Sequence, residues 1–388
     1  MSVGLVYLDH AATSPLRPGV ATAMDEARAG VLGNPSGSHP AAQRARRLLE
    51  EARDEVAAFL GRDPGDVVFC SGGTEAANLA VFGTVGAAEG AGEAGEVLWS
   101  AVEHPAVREA VHAVQAAGAG ARELPVGEEG ALDVGALSEA LTERTTLVAV
   151  MTANNETGVV QPLGAVVAAV RRRAPQAAVF TDAVQAAPWL DLAEVAAGAD
   201  LVALSAHKLG GPVGVGALAV SPRVGLVARQ VGGGQERERR SGTQDVVGAV
   251  GLAAAVRLAA AERAAVGARV ARLRDELRRG LLSAVRGLWV TVPDGVEVLP
   301  GHLHLCVPGA DREEVLVALG REGVCVSGGS SCASGALEPS YVLAAMGVER
   351  KVADGSLRFT LGPATTEAHV ARALEVVPAV VERLRRTV

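Results

Sequence analysis

Lysine is almost absent from this sequence. Of its 36 basic residues, only Lys208 and Lys351 are lysine, and the rest are arginine. Arginine stays protonated and cannot act as an amine nucleophile, so chemistry that needs a reactive amine has two candidates. Cysteine is also scarce. Four cysteines (Cys70, Cys306, Cys325 and Cys332) in 388 residues make no disulfide framework, and none forms a CxxC pair that would suggest zinc. A net charge of −8 excludes a broad basic surface for nucleic acid. No run of 18 apolar residues is present. The most apolar stretch, residues 145–170, is broken by Asn154, Asn155, Glu156 and Gln161. The first 16 residues lack a basic n-region and a long apolar stretch, so no signal or transit peptide is expected. A cytoplasmic protein with free thiols follows as the expectation, without membrane attachment or direct DNA binding.

What is present is apolar. Hydrophobic residues make up 49 % of the chain against 21 % charged, and glycine accounts for 47 positions. Such a chain can bury a large core, as one large domain or two moderate ones. The abundance of Ala, Gly, Val and Arg fits a GC-rich coding sequence, which makes a retained lysine informative.

Apolar runs of strand type alternate with helical patterns. Strands are predicted at 67–70, 97–100, 146–152, 178–181, 201–204 and 216–220, with helices at 75–85, 105–117 and 164–173 between several of them. This alternation indicates an α/β layer around a largely parallel sheet, whose sites lie at the carboxyl ends of strands. Residues 245–285 read as one helix. Beyond it lie short strands at 289–292, 302–307 and 324–327, with helices from Arg312 and Thr366, as in a smaller α+β domain. The Ala/Gly-rich stretch 86–95 reads as a surface connection.

The residues just past the predicted strands carry the chemistry. Lys208 lies in a Gly-rich turn after 201–204, where a partly desolvated amine has a lowered pKa and can form a Schiff base; the alternative is a solvated surface lysine. Asp182 follows 178–181. A carboxylate there can pair with a pyridinium nitrogen or serve as a helix cap. Ser71-Gly72-Gly73-Thr74-Glu75 offers free N–H groups at a helix N-terminus, a ready anion site, or forms an ordinary capped turn. It has neither a P-loop nor a GxGxxG pattern. His104 follows 97–100, placed to stack on a planar ring, to move protons, or only to hydrogen-bond. Cys332 sits among small residues, Gly329-Ser330-Ser331-Cys332-Ala333-Ser334, a setting that suits a mobile nucleophile. The other three cysteines fall in apolar strand contexts and read as structural. Arg358 interrupts an apolar run. It could bind a carboxylate at two points or sit on an exposed strand edge.

Together these blocks resemble the NifS/IscS-type cysteine desulfurases of the class V aminotransferase superfamily. The resemblance also runs through Leu8-Asp9-His10-Ala11-Ala12-Thr13, Gly33-Asn34-Pro35-Ser36, Glu103-His104, Asn154-Asn155-Glu156-Thr157-Gly158, Asp182-Ala183-Val184-Gln185, Ser205-Ala206-His207-Lys208 and Arg240-Ser241-Gly242-Thr243. It implies an α/β fold of the PLP-dependent transferase type I. A large domain (16–260) would hold a mostly parallel seven-stranded sheet, and a smaller α+β domain (1–15 and 261–388) would carry the Cys332 loop. It also implies pyridoxal 5'-phosphate as cofactor, held covalently by Lys208, which later moves the Cα proton. Asp182 would pair with the ring nitrogen, Gln185 would bond the phenolic oxygen, and His104 would stack on the ring. Gly73, Thr74, Ser205 and His207 would hold the phosphate, with Thr243 arriving from the other subunit of a homodimer. Asn34, Asn155 and Arg358 would bind the substrate carboxylate. Cys332 would take sulfur from L-cysteine, leaving L-alanine, and pass it to a protein acceptor. No metal site is implied.

Departures from the family pattern bear on the acceptor. The loop around Cys332 differs from the usual Ser-Ser-Gly-Ser-Ala-Cys-Thr-Ser, and Gly362-Pro363-Ala364 replaces a more usual Gly-Arg-Phe. The chain stops soon after Arg385-Arg386, without the longer tail that IscS members use at a scaffold protein, which puts an IscS-style scaffold contact in doubt. Iron–sulfur assembly, tRNA thiolation and other sulfur pathways stay open. Another class V reaction, selenocysteine lyase or transamination, is the alternative activity. A different alternative is a cofactor-binding protein that acts mainly as a partner or regulator.

Overall fold

The computed structural model describes residues 4–31, 33–92, 95–329 and 340–385. Twelve strands are present among the described residues: β1 (Val6–Tyr7), β2 (Val67–Cys70), β3 (Glu96–Ser100), β4 (Gly120–Leu124), β5 (Thr145–Ala149), β6 (Ala178–Asp182), β7 (Leu201–Ser205), β8 (Gly216–Val220), β9 (Trp289–Val290), β10 (His302–Cys306), β11 (Val324–Cys325) and β12 (Ser356–Thr360). Seven of them form one sheet in the order β2-β8-β7-β6-β5-β3-β4. The strands β2, β5, β6, β7 and β8 are apolar runs with almost every residue buried, as expected where helices cover both faces. All neighbours pair in parallel except β8, which is antiparallel to both β2 and β7. The cause is local. Only residues 206–215 join β7 to β8, too few for a crossover helix, so the chain must turn straight back. Lys208 sits in that return.

The chain passes from β3 out to the edge strand β4 and then returns to β5 on the other flank of β3. Such a reversal opens a crevice at the carboxyl ends of the strands, where α/β sheets place their ligands.

The helix at Val246–Ala284 runs for 39 residues, about 58 Å at 1.5 Å per residue. The Asp245 carboxylate starts it by accepting from the Gly248 N–H at 2.9 Å. Its first half buries mostly small side chains against the helices Pro18–Gly30 and Pro40–Leu60. Its second half buries Gly267, Val270, Leu273, Leu277 and Leu281, three or four residues apart, as an amphipathic helix does. The expected domain boundary at residue 260 lies inside this helix. Beyond it, β9, β10 and β12 form a three-stranded antiparallel sheet, and β1 pairs in parallel with β11.

One expectation needs correction. The stretch 86–95 is not wholly a connection, because the helix Gly73–Gly90 continues through its first five residues. That helix is rich in small apolar side chains that pack on the sheet, which offsets the low helix propensity of its glycines. The edge strand β4 and the helices Pro18–Gly30 and Pro40–Leu60 carry weaker apolar signals and were not anticipated.

Candidate active site

A cavity of about 370 Å³ opens at the carboxyl edge of the large sheet. Gly73, Thr74, His104, Asn155, Asp182, Gln185, Ser205, His207, Lys208 and Arg358 all line it. Ten of the thirteen expected site residues therefore meet in one space. Met151, Ala153 and Val184 supply apolar wall, and Ala11 and Ala12 close one side.

The Lys208 side chain is half buried. Its amine donates to the carbonyl oxygens of Ala11 at 2.5 Å and Ala12 at 2.6 Å. This removes the reading of a freely solvated surface lysine. Lys351 is the contrast: it is exposed and pairs only with Glu349. Asp182 ends β6 and is buried. Its Oδ1 accepts from the Val184 N–H at 3.0 Å, so the cap-like bond and the place in the cavity coexist. Burial raises its pKa, while His104, the Val184 N–H and Lys208 pull it back. His104 begins the helix Pro105–Ala116, and its Nδ1 accepts from the Ala106 N–H at 3.1 Å. A neutral ring with Nδ1 as acceptor carries its proton on Nε2. Burial lowers its pKa and Lys208 adds to the effect against Asp182, so the ring is kept neutral. His207 is pushed down to about 4, by burial first and then by Lys208; its Nδ1 lies 3.1 Å from Thr13 Oγ1.

The helix Gly73–Gly90 starts at Gly72 with no side-chain cap. Its first residues, Gly73 and Thr74, line the cavity together with Ser205 and His207, so the turn is not an ordinary capped one. Glu75 is drawn aside: its carboxylate accepts from the Ser71 N–H and pairs with Arg240 through both oxygens, at 2.8 and 3.3 Å. It thereby leaves the anion position unblocked.

Arg358 is fully buried, which removes the exposed-edge reading. Its Nη1 donates to the carbonyls of Asn155 (2.9 Å) and Gly329 (3.1 Å), and its Nη2 donates to Asp9 Oδ1 at 2.8 Å. Its Nε and the side-chain oxygen of Asn155 are buried without a partner. Buried polar groups are rarely left so; here they fit an absent polar ligand. The Asn154 side chain shapes the Asn155 turn by accepting from Glu156 N and Thr157 N, each at 2.9 Å. Gly158 follows at φ +79°, where a Cβ would strike His302.

Three expected residues lie elsewhere. Asn34 is exposed, and its side chain closes a turn by accepting from the Ser36 N–H at 2.9 Å. Within this chain it does not reach the cavity. Thr243 is exposed on the loop before the long helix and is also absent from the cavity. Cys332 lies outside the described residues. The described cysteines are free thiols. Burial raises the pKa of Cys70 and pushes Cys306 up to about 11, consistent with inert structural positions. Among the described residues no cluster of His, Cys, Asp and Glu could hold a metal, and no helix is long and apolar enough to cross a membrane.

Sequence reasoning assigned no role to Asp9, Ala11, Ala12, Glu103 or Glu156. Asp9, Ala11 and Ala12 act through chain crossings far apart in sequence. Glu103 and Glu156 are buried acids beside cavity residues, and their only local signal was charge within an apolar stretch. Burial and the nearby Asp182 push Glu103 up to about 8, against a hydrogen bond from the Met151 N–H.

An amine at a strand return, a buried carboxylate, a neutral imidazole and an uncapped helix N-terminus fit pyridoxal phosphate, with Arg358 and Asn155 left for a second polar group. The Aminotransferase class-V family model matches residues 6–373. The chain belongs to this family. It is 40 % identical over 387 residues to the IscS-like cysteine desulfurase of Mycobacterium tuberculosis, covering 98 % of each chain. It is 41 % identical to the cysteine desulfurase IscS of an Anaeromyxobacter species, covering 98 % of this chain and 93 % of that one. A solved NifS-like protein, 30 % identical, superposes with a TM-score of 0.91 over 98 % of this chain and all of the other. Within the class V family, these relatives are of the NifS/IscS cysteine desulfurase type.

Proposed function

We propose that this chain is a homodimeric, PLP-dependent cysteine desulfurase of the cytoplasm. It converts L-cysteine to L-alanine and holds the removed sulfur as a persulfide on Cys332 for a protein acceptor. One observation carries the reading: Lys208, Asp182, His104 and an uncapped helix N-terminus share a single cavity with the buried, incompletely paired Arg358 and Asn155.

Bound pyridoxal phosphate supplies an electron sink for charge at the substrate Cα. Lys208 would hold it through its amine and then move the Cα proton. Asp182 would hold its ring nitrogen, Gln185 its phenolic oxygen, and His104 would stack on the ring as a neutral imidazole. Gly73, Thr74, Ser205 and His207 would hold the phosphate, together with the partner subunit's Thr243. Arg358 and Asn155 would orient the substrate carboxylate. Asn34 keeps a place in this reading only if its turn approaches the site in the dimer.

Cys332 attacks the substrate sulfur as a thiolate. The new S–S bond forms as the substrate's Cβ–S bond breaks. The electron pair stays with the three-carbon skeleton, which takes up protons and leaves as alanine. L-Cysteine and one enzyme thiol thus give L-alanine and one enzyme persulfide. The test is Cys332→Ala assayed for alanine release from L-cysteine with cofactor content measured alongside. Release should fall by about 10²-fold or more with cofactor still bound. Undiminished release overturns the thiol mechanism.

A further inference from the structure

A second cavity, of about 300 Å³, adjoins the one described above. The two share only Ala11, Gln185 and Lys208. The Ala11 carbonyl accepts from the Gln185 side chain at 2.9 Å and from the Lys208 amine at 2.5 Å, so these three residues form a hydrogen-bonded partition between the two spaces. None of the groups read as holding the phosphate or the ring nitrogen lines the second cavity. It is a separate site. Its wall is mainly apolar, with Leu16, Pro188, Trp189, Val266 and Leu361. Pro363 and Ala364 also line it, where the family more usually carries Arg and Phe, so two large side chains give way to smaller ones at this wall.

The polar groups here are of two kinds. The charged ones are matched already: Arg17 pairs with Glu262, and Arg263 with Asp191 at 2.8 Å. His302 is the opposite case. It is 4 % exposed, and neither of its ring nitrogens has a hydrogen-bond partner among the described residues. Burial first, and then Arg358, Arg274, Lys208 and His304, push its pKa down to about 3, so the ring is neutral, with one nitrogen a donor and the other an acceptor. A buried polar group left unpaired costs free energy, and a ligand group that pairs with it recovers that cost.

These features select a ligand class. An ionic ligand would lose its hydration and find the charges around it already paired. A wholly apolar ligand would leave His302 unpaired. A flat ring suits the Trp189 and Pro188 rings, and the volume lies at the small end of ligand pockets. We propose that this cavity binds a small neutral phenol, its ring against Trp189 and Pro188 and its hydroxyl on His302. The proposal stands apart from the desulfurase reading and does not depend on Cys332.

The test uses the holoenzyme, whose cofactor occupies the first cavity, and two isosteric probes: para-cresol, and para-xylene, in which a methyl group replaces the hydroxyl. By calorimetry, para-cresol should bind saturably at one molecule per chain, with a Kd of about 1 mM or lower. In His302→Leu its affinity should fall about 5- to 10-fold, the loss of one hydrogen bond, while that of para-xylene should not fall. The double variant Ala259→Leu/Ala364→Phe narrows the cavity from the long helix and from the loop, and should weaken both probes about 10-fold or more. If His302→Leu does not fold, the ring-nitrogen NMR resonances of His302 in the unaltered protein decide: they should move with para-cresol and stay with para-xylene. Absence of saturable binding overturns the proposal. Binding that survives the double variant also overturns it, because the ligand then sits elsewhere. Equal losses of both probes in His302→Leu, or equal resonance shifts, overturn the assignment to phenols.

Discussion

Lys208, Asp182, His104 and Ser205 each stand at or just past the end of a strand of one sheet, and the positions of those ends are set by the sheet's own pairing. Arg358, Asn155, Asp9 and Gly329 come from remote parts of the chain. Arg358 is 203 residues from Asn155 and 349 from Asp9. The amine end of the cavity is therefore a property of one layer, and the guanidinium end is a property of how separate pieces close on it. Loss of one side chain at the amine end should remove chemistry and leave the frame intact. Loss at the guanidinium end should disturb chemistry and frame together.

The sharpest test of this contrast is Lys208→Ala. Alanine release should drop by about 10³-fold or more, since no other side chain can replace the amine as attachment point and base. The melting temperature of the cofactor-free protein should hardly move. Lys351→Ala is the control and should match the parent. Equal losses in both variants would break the assignment.

Arg358→Lys comes next. A lysine has a single donor head where Arg358 serves two carbonyls and Asp9, so KM for L-cysteine should rise by about 10- to 100-fold. Stability should also fall, by about 1 kcal/mol or more, because a single lysine head cannot serve Asp9 and both carbonyls at once. A KM effect without a stability effect would show that the two ends are built alike.

Behind the amine end the expected effect falls on pH dependence and leaves the chemistry in place. The folded-state pKa of Glu103, at about 8, exceeds the ordinary value of 4.5. Its contribution to stability is thus full below pH 4.5 and is lost as pH rises toward 8. Glu103→Gln mimics the protonated form. It should flatten that decline in a urea titration series between pH 5 and 9. An unchanged slope would show that Glu103 does not titrate in this range.

The same contrast explains what could be read without coordinates. Fully apolar strands such as 201–204 announce both the sheet and the residue that follows each one, and this exposed Lys208, Asp182 and His104 to inspection. The reversed strand β8 was legible only as a strand. Its direction depends on the length of the return from β7. Arg358 could be noticed as a charge in an apolar run, but its burial depends on Asp9, which pairing with β12 and β11 brings alongside. Asn34 and Thr243 rested on resemblance alone, and a single chain does not carry either to the cavity.

Residues 6–13 have one more consequence. Tyr7 pairs with Cys325, just ahead of the Gly329 end; Asp9 bonds to Arg358; Ala11 and Ala12 grip the Lys208 amine; and Thr13 meets His207. Eight consecutive residues thus act as a ruler of fixed length, laid from β11 to the amine. A ruler does not tolerate a change of length. One residue inserted between Tyr7 and Ala11 would turn successive side chains to the wrong face and put the two ends out of step. For anyone redesigning this enzyme, point changes along that stretch are open to trial, whereas insertions and deletions there are not.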